Sequence, residues 1–230
     1  MQIKGLQKLT LLDFPEHTAC TVFTGGCNFR CPFCHNASLV IAPTEIDNVT
    51  EEDFFAYLRK RQGILDGVAI TGGEPLLQAD ITEFIRKIRV LGFRVKLDTN
   101  GSFPDKLKEL VTEGLVDYVA MDIKNSPERY SETIGTEKLG FDAVKESIEF
   151  LLADNVDYEF RTTVVKELHR EEDLRKISEC ILGAKRYFLQ QFTDSGELIT
   201  TGWSAYSKAE MEQFKKVVAK LIPNVELRGV

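Results

Sequence analysis

The chain predicts a parallel α/β fold: a partial, open barrel of six β/α units, (β/α)6, with a short N-terminal hairpin. Three observations carry this expectation. From residue 19 onward, short apolar runs of strand length alternate with stretches in which apolar residues recur at helical spacing. Helical crossovers between successive strands leave those strands parallel. Six such units are fewer than the eight that close a barrel of this type.

The elements follow in order. Ala19–Phe23 is the first predicted strand, and Glu51–Arg61 a helix capped by Thr50 with acidic residues in its first turn. Gly67–Thr71 is the second strand. The next helix opens at Asp80 with Glu83 as its capping-box partner, presents Ile81, Phe84, Ile85, Ile88 and Leu91 on one face, and stops at Gly92. Phe93–Asp98 is the third strand and Pro104–Glu113 a helix. Asp117–Asp122 is the fourth strand and Phe141–Ala153 a helix. Tyr158–Val165 is the fifth strand and Glu171–Leu182 a helix. Arg186–Gln191 is the sixth strand. The final helix starts with the capping box Ser207–Glu210, buries Met211, Phe214, Val217, Val218 and Leu221, and ends before Pro223. Val225–Leu227 adds a short edge strand. Residues 1–18 are expected to form a hairpin around Thr10–Phe14 that covers one end of the barrel. The whole reads as one domain: extension 1–18, core 19–192, and C-terminal helix and edge strand 193–230.

With 230 residues, 43% of them hydrophobic, the chain can bury a sizeable core. Its net charge is −7 and it carries no Lys/Arg run, which argues against a nucleic-acid partner. No apolar run reaches membrane-spanning length and no signal peptide opens the chain, so a cytoplasmic protein is expected. The five cysteines are odd in number, and three fall within eight residues. In a reducing compartment that pattern points to metal rather than disulfides.

Those three are Cys27, Cys31 and Cys34, spaced C-x3-C-x2-C just after the first strand. Three thiolates on one loop can grip three corners of a 4Fe-4S cluster and leave the fourth iron open. The competing reading is structural zinc with His35 as fourth ligand, although His35 abuts Cys34. Later strands also end in polar or glycine-rich segments. The second runs into Thr71-Gly72-Gly73-Glu74-Pro75, otherwise a plain turn. The third ends in Asp98-Thr99-Asn100-Gly101, also a good turn sequence. The fourth ends in Asp122-Ile123-Lys124, whose two charges share a face and could be a surface ion pair. Arg161 lies inside the apolar fifth strand, where it needs a carboxylate partner. Cys20 and Cys180 read as small core residues, and His17 and His169 as surface residues.

The cysteine loop, with an aromatic residue before its last cysteine, resembles the signature of radical S-adenosylmethionine (SAM) enzymes. The resemblance implies a radical SAM core in which the open iron chelates SAM's amino and carboxylate groups. An electron from the cluster then yields a 5′-deoxyadenosyl radical that abstracts a hydrogen atom. It also implies roles for further residues. Gly72, Gly73 and Glu74 match the motif that holds SAM's amino group. Asp98 and Thr99 would lie by SAM and a monovalent cation. Asp122 and Lys124 would reach SAM's methionine and ribose, and Arg161 its carboxylate. Phe33 would pack near adenine, and Gln190 or Gln191 would hydrogen-bond it.

Over nearly its whole length the sequence resembles the activating proteins of anaerobic ribonucleoside-triphosphate reductase, from Gly5-Leu6-Gln7-Lys8 through Asp13-Phe14-Pro15 and Phe23–Asn36. Pyruvate formate-lyase activators share the Asp98–Gly101 and Asp122-x-Lys124 features. The implied partners are a glycyl radical enzyme, with that reductase foremost, and a flavodoxin- or ferredoxin-type electron donor. The alternatives are a radical SAM enzyme acting on a small molecule, such as a carboxy-deazaguanine synthase, and a non-catalytic metal-binding module.

Overall fold

The computed structural model describes every residue except Lys138. The described residues gather into two compact units. One comprises Met1–Asn28, Asn36–Thr99 and Asp105–Val119; the other comprises Phe29–His35, Asn100–Pro104 and Ala120–Val230.

The first unit holds strands β1 (Ile3–Thr10), β2 (Ala19–Thr24), β3 (Gly67–Gly72) and β4 (Arg94–Thr99). Its helices include α1 (Ala37–Ile41), α2 (Glu51–Arg59) and α3 (Ile81–Val90), and α4 (Pro104–Thr112) lies almost wholly in it. Strands β2, β3 and β4 run parallel, with Thr21 opposite Ala69 and Ala69 opposite Lys96. β2 and β3 are largely apolar, as strands covered on both faces should be, while β4 carries Arg94, Lys96 and Asp98 among its apolar residues. Helix α3 closes over them with Ile81, Phe84, Ile85 and Ile88, all 1% exposed or less. Each such side chain contributes about 1.5–3 kcal/mol of burial free energy. Gly92 ends this stretch with a left-handed φ of +88°, which an L side chain would resist.

The expected N-terminal hairpin is present, with β2 as its second arm rather than a strand within residues 1–18. Its first arm is the eight-residue strand β1, which pairs antiparallel with β2 and extends the sheet edge, while residues 11–18 connect the two. The sequence of β1 carries two lysines, and most of its positions are partly buried or exposed, so the apolar signal of a strand is faint. Asp80 also departs from expectation. Its carboxylate makes no cap bond to α3 and instead accepts from the Met1 ammonium, a stronger charged partner.

Strand β5 (Tyr118–Asp122) begins in the first unit and ends in the second. The second unit continues with α5 (Tyr130–Ile134), α6 (Asp142–Leu152), β6 (Asp157–Val164), α7 (Glu171–Cys180), β7 (Tyr187–Gln191), α8 (Lys208–Val218) and β8 (Val225–Arg228). Strands β6, β7 and β8 are parallel. The strand order is β1 to β8 without permutation, an open sheet with β1 and β8 last in the order. Six strand–helix units, β2–α2 through β7–α8, match the expected count. Thr50 and Ser207 cap α2 and α8 through their side chains, as their sequences predict. Met211, Phe214 and Val218 of α8 are buried, while Val217 and Leu221 lie at the margin of the packed face. Among the described residues, no helix is long and apolar enough to cross a membrane.

The last strand is fastened by charge. Arg228 donates from both terminal nitrogens to Glu159 of β6, at 2.7 and 2.9 Å, and its guanidinium lies 3.4 Å from the ring centroid of Phe188 on the intervening strand. Glu159 is 1% exposed. Arg228→Ala should therefore destabilise the protein by about 2 kcal/mol, because a buried carboxylate loses two charge-assisted bonds. The joint change Glu159→Met/Arg228→Met should recover much of that loss in urea denaturation.

Candidate functional site

In the first unit, two strand ends and the segment leading to Cys27 are locked together by backbone. The amide of Glu74 donates to the carbonyl of Gly26 at 2.9 Å, and the amide of Gly73 to that of Thr24 at 3.0 Å. A Cβ on Gly73 would stand 1.9 Å from the Gly26 oxygen and 3.4 Å from the Cβ of Cys27. Only glycine permits this crossing, so Gly73 fixes the turn beside the first cysteine. Asn36 donates to the carbonyl of Gly72 at 3.0 Å.

Glu74 is fully buried. Its Oε1 accepts from the Leu76 amide at 3.0 Å and from the Thr99 hydroxyl at 2.9 Å. The ends of β3 and β4 thus bring Glu74 and Thr99 together. Asp98 faces elsewhere on β4 and is ion-paired with Lys96.

The second unit holds Cys31 and Cys34. The Cys34 amide donates to the Cys31 carbonyl at 3.0 Å, closing a tight turn, and the Arg30 amide donates to the Ile134 carbonyl at 2.8 Å, tying the loop to α5. Asp122, at the end of β5, accepts from Arg161 Nε at 2.8 Å and from Lys124 Nζ at 2.9 Å. Asp122 is the carboxylate partner that Arg161 requires. Burial works against the ionised form of Asp122, but Arg161 and Lys124 outweigh it and hold the carboxyl well below its usual range. Burial likewise works against the Lys124 ammonium. Asp122, together with the nearby sulfurs of Cys31 and Cys34, holds its pKa above the ordinary lysine value. Gln190 reaches Thr163 at 3.3 Å, and Gln191 donates to the Tyr206 carbonyl at 2.7 Å.

Two residues of this unit escaped the sequence reading. His169, expected at the surface, is fully buried. Its Nε2 lies 2.7 Å from the Lys124 carbonyl and its Nδ1 3.1 Å from the Val165 amide. Those partners assign a neutral ring that donates from Nε2 and accepts at Nδ1. Phe33, 3% exposed, meets this ring edge-on at 6.5 Å. Val165 and Leu168, apolar and one turn or less before His169, were the available hint of burial. The second residue is Tyr130. It is buried, and its hydroxyl points toward the backbone of Lys124 without completing a hydrogen bond. Burial raises its pKa, with Lys124 opposing and Cys31 adding to the rise. His17 is half-buried against Phe14.

The donor set fits an iron–sulfur cluster. None of the five cysteines is joined in a disulfide. Among the described residues, no three His, Cys, Asp or Glu side chains are placed to hold one metal ion. A cubane makes a different demand, since each thiolate takes a separate iron. The buried Tyr130 hydroxyl, near Cys31 and Lys124, has no hydrogen-bond partner of its own and is a polar group that a bound ligand could satisfy. His35 lies against the ring of Phe192 at 5.4 Å.

Burial lowers the pKa of His169, with the carbonyls of Lys124 and Val165 opposing the shift. Between that folded value and the unfolded one near ~6.5, the unfolded chain binds more protons, so folding should weaken as pH falls. The thermal midpoint of His169→Gln should show a shallower dependence than wild type between about pH 7.5 and 5.5.

Comparison with known proteins identifies the family. The profile of the radical SAM superfamily matches residues 21–179. A Methanocaldococcus jannaschii protein, provisionally named a glycyl-radical enzyme activating enzyme, is 31% identical over 99% of this chain and 96% of its own length. A 7-carboxy-7-deazaguanine synthase of Methanopyrus kandleri is 28% identical over 77% of this chain and 75% of its own. A domain of a pyruvate-formate lyase-activating enzyme from Bacteroides vulgatus shares the fold, with a TM-score of 0.58, 14% identity, and coverage of 71% of this chain and 99% of that one. The cysteine loop lies within the matched span, and the chain belongs to the radical SAM superfamily.

Proposed function

We propose that this enzyme generates a glycyl radical on a large partner enzyme, with anaerobic ribonucleoside-triphosphate reductase as the target and a flavodoxin- or ferredoxin-type protein as electron donor in the cytoplasm. The observation that carries the reading is likeness over 99% of the chain to a relative named for activating a glycyl radical enzyme. Cys27, Cys31 and Cys34 are the cluster ligands in this reading. When bound, the cluster and SAM supply an electron and a 5′-deoxyadenosyl radical able to take a hydrogen atom from a glycine Cα.

The chain's own residues bind and orient. In the first unit, Gly72 keeps bare backbone against Thr24 and Gly73 beside Cys27, and Glu74, held by Thr99, offers its carboxylate to SAM's ammonium group. In the second unit, Asp122 stays ionised at neutral pH because Arg161 and Lys124 flank it. Lys124 and Arg161 thereby present fixed cations to SAM's polar groups, and Phe33, backed by His169, presents an aromatic surface to adenine. Gln190 is the adenine hydrogen-bonding candidate.

The likeness to a 7-carboxy-7-deazaguanine synthase favours a second reading, radical chemistry on a small molecule. One experiment separates the two. Anaerobic protein, reconstituted and reduced, should form 5′-deoxyadenosine with SAM and leave a glycyl EPR doublet on an added anaerobic reductase. Turnover of a free small-molecule substrate with no doublet would overturn the activating role. Cys31→Ala should lose most of its iron and sulfide, because two thiolates remain for a cluster that needs three. Full iron content in that variant would remove Cys31 from the ligand set.

A further inference from the structure

We propose that the ammonium of Lys96 takes the place of an alkali-metal ion at Asp98, so that this protein binds SAM without a monovalent cation. The inference rests on the assignment of Asp98 to the neighbourhood of SAM and departs from the cation that the family resemblance attaches to it.

Lys96 is 3% exposed, deep in β4. It stands two residues before Asp98, so both side chains leave the same face of the strand. Its Nζ is ion-paired with Asp98 Oδ1. A lysine is almost never buried so completely unless it is paired. The residue opposite it on β3 is Ala69, which offers no carboxylate.

Ammonium and potassium carry the same charge and are close in size, and both take oxygen ligands. The lysine differs in that its cation is delivered by the chain and fixed in place on folding. A carboxylate already matched in this way has little left for a second cation, and an alkali ion brought to it would meet a buried like charge. Asp98 and Lys96 thus form a cation site whose cation is covalent.

The test uses the reconstituted, anaerobic protein. SAM affinity is read from the EPR spectrum of the reduced cluster, and the ionic strength is held constant while potassium chloride replaces choline chloride. Wild type should change by less than about twofold. Lys96→Met should bind SAM about tenfold or more weakly in choline and recover with potassium in a saturable way. A saturable gain of about tenfold in wild type on adding potassium would overturn the proposal, as would a folded Lys96→Met protein that ignores potassium. Failure to bind SAM in any salt would sink the radical SAM assignment of this site. The Lys96 claim would then be decided on cluster-free protein: potassium should raise the melting point of Lys96→Met over its value in choline and leave wild type unchanged. If Lys96→Met does not fold, the wild-type titration alone decides.

Discussion

A charge carried into the interior of a covered parallel sheet must be matched where it stands, and that constraint organises this molecule. Asp122 is matched by Arg161 and Lys124, Asp98 by Lys96, and Glu159 by Arg228. Glu74, fully buried, takes bonds from Thr99 and the Leu76 amide. Buried ion pairs of this kind add little net stability, since desolvation offsets much of the attraction. Their effect is to hold charged groups at fixed positions on the strand ends. Charges held in this way suit a ligand that is itself ionic and must be oriented before it reacts.

The same constraint explains what the sequence could and could not reveal. The alternation of apolar strands and amphipathic helices is local, and it yields six β/α units with boundaries close to those found. Helix caps at Thr50 and Ser207 are also local, and their side chains make the expected bonds. Partners are a different matter. That Arg161 needs a carboxylate follows from its apolar surroundings, but the identity of Asp122 depends on strands 39 residues apart coming side by side. Asp80 has a good capping sequence and loses that role to the chain's own N-terminus, a contact spanning 79 residues.

His169 shows the limit most clearly. A histidine flanked by lysine, glutamate and arginine looks solvated, yet it is sealed between the Lys124 carbonyl and the Val165 amide. Strand β1 was legible only as part of a hairpin, for the opposite reason. An edge strand with lysines and partial burial lacks the clean alternation of an interior one, and lysines on an edge are a common guard against unwanted pairing. The cysteine spacing, by contrast, was fully legible, because three ligands within eight residues need no tertiary information to be recognised. Fold and superfamily follow from these features. The substrate does not, since one fold serves many reactions and the target is chosen by surfaces outside the cluster loop.

The central claim is that Asp122, kept ionised between two cations, helps to hold SAM. Its most direct test is the equilibrium affinity of reconstituted Asp122→Asn for SAM, compared with wild type at neutral pH with cluster content checked in both. The account predicts a loss of about tenfold or more with the cluster intact, because the neutral amide leaves Arg161 and Lys124 without their shared anion. An unchanged affinity in a cluster-replete variant would contradict it.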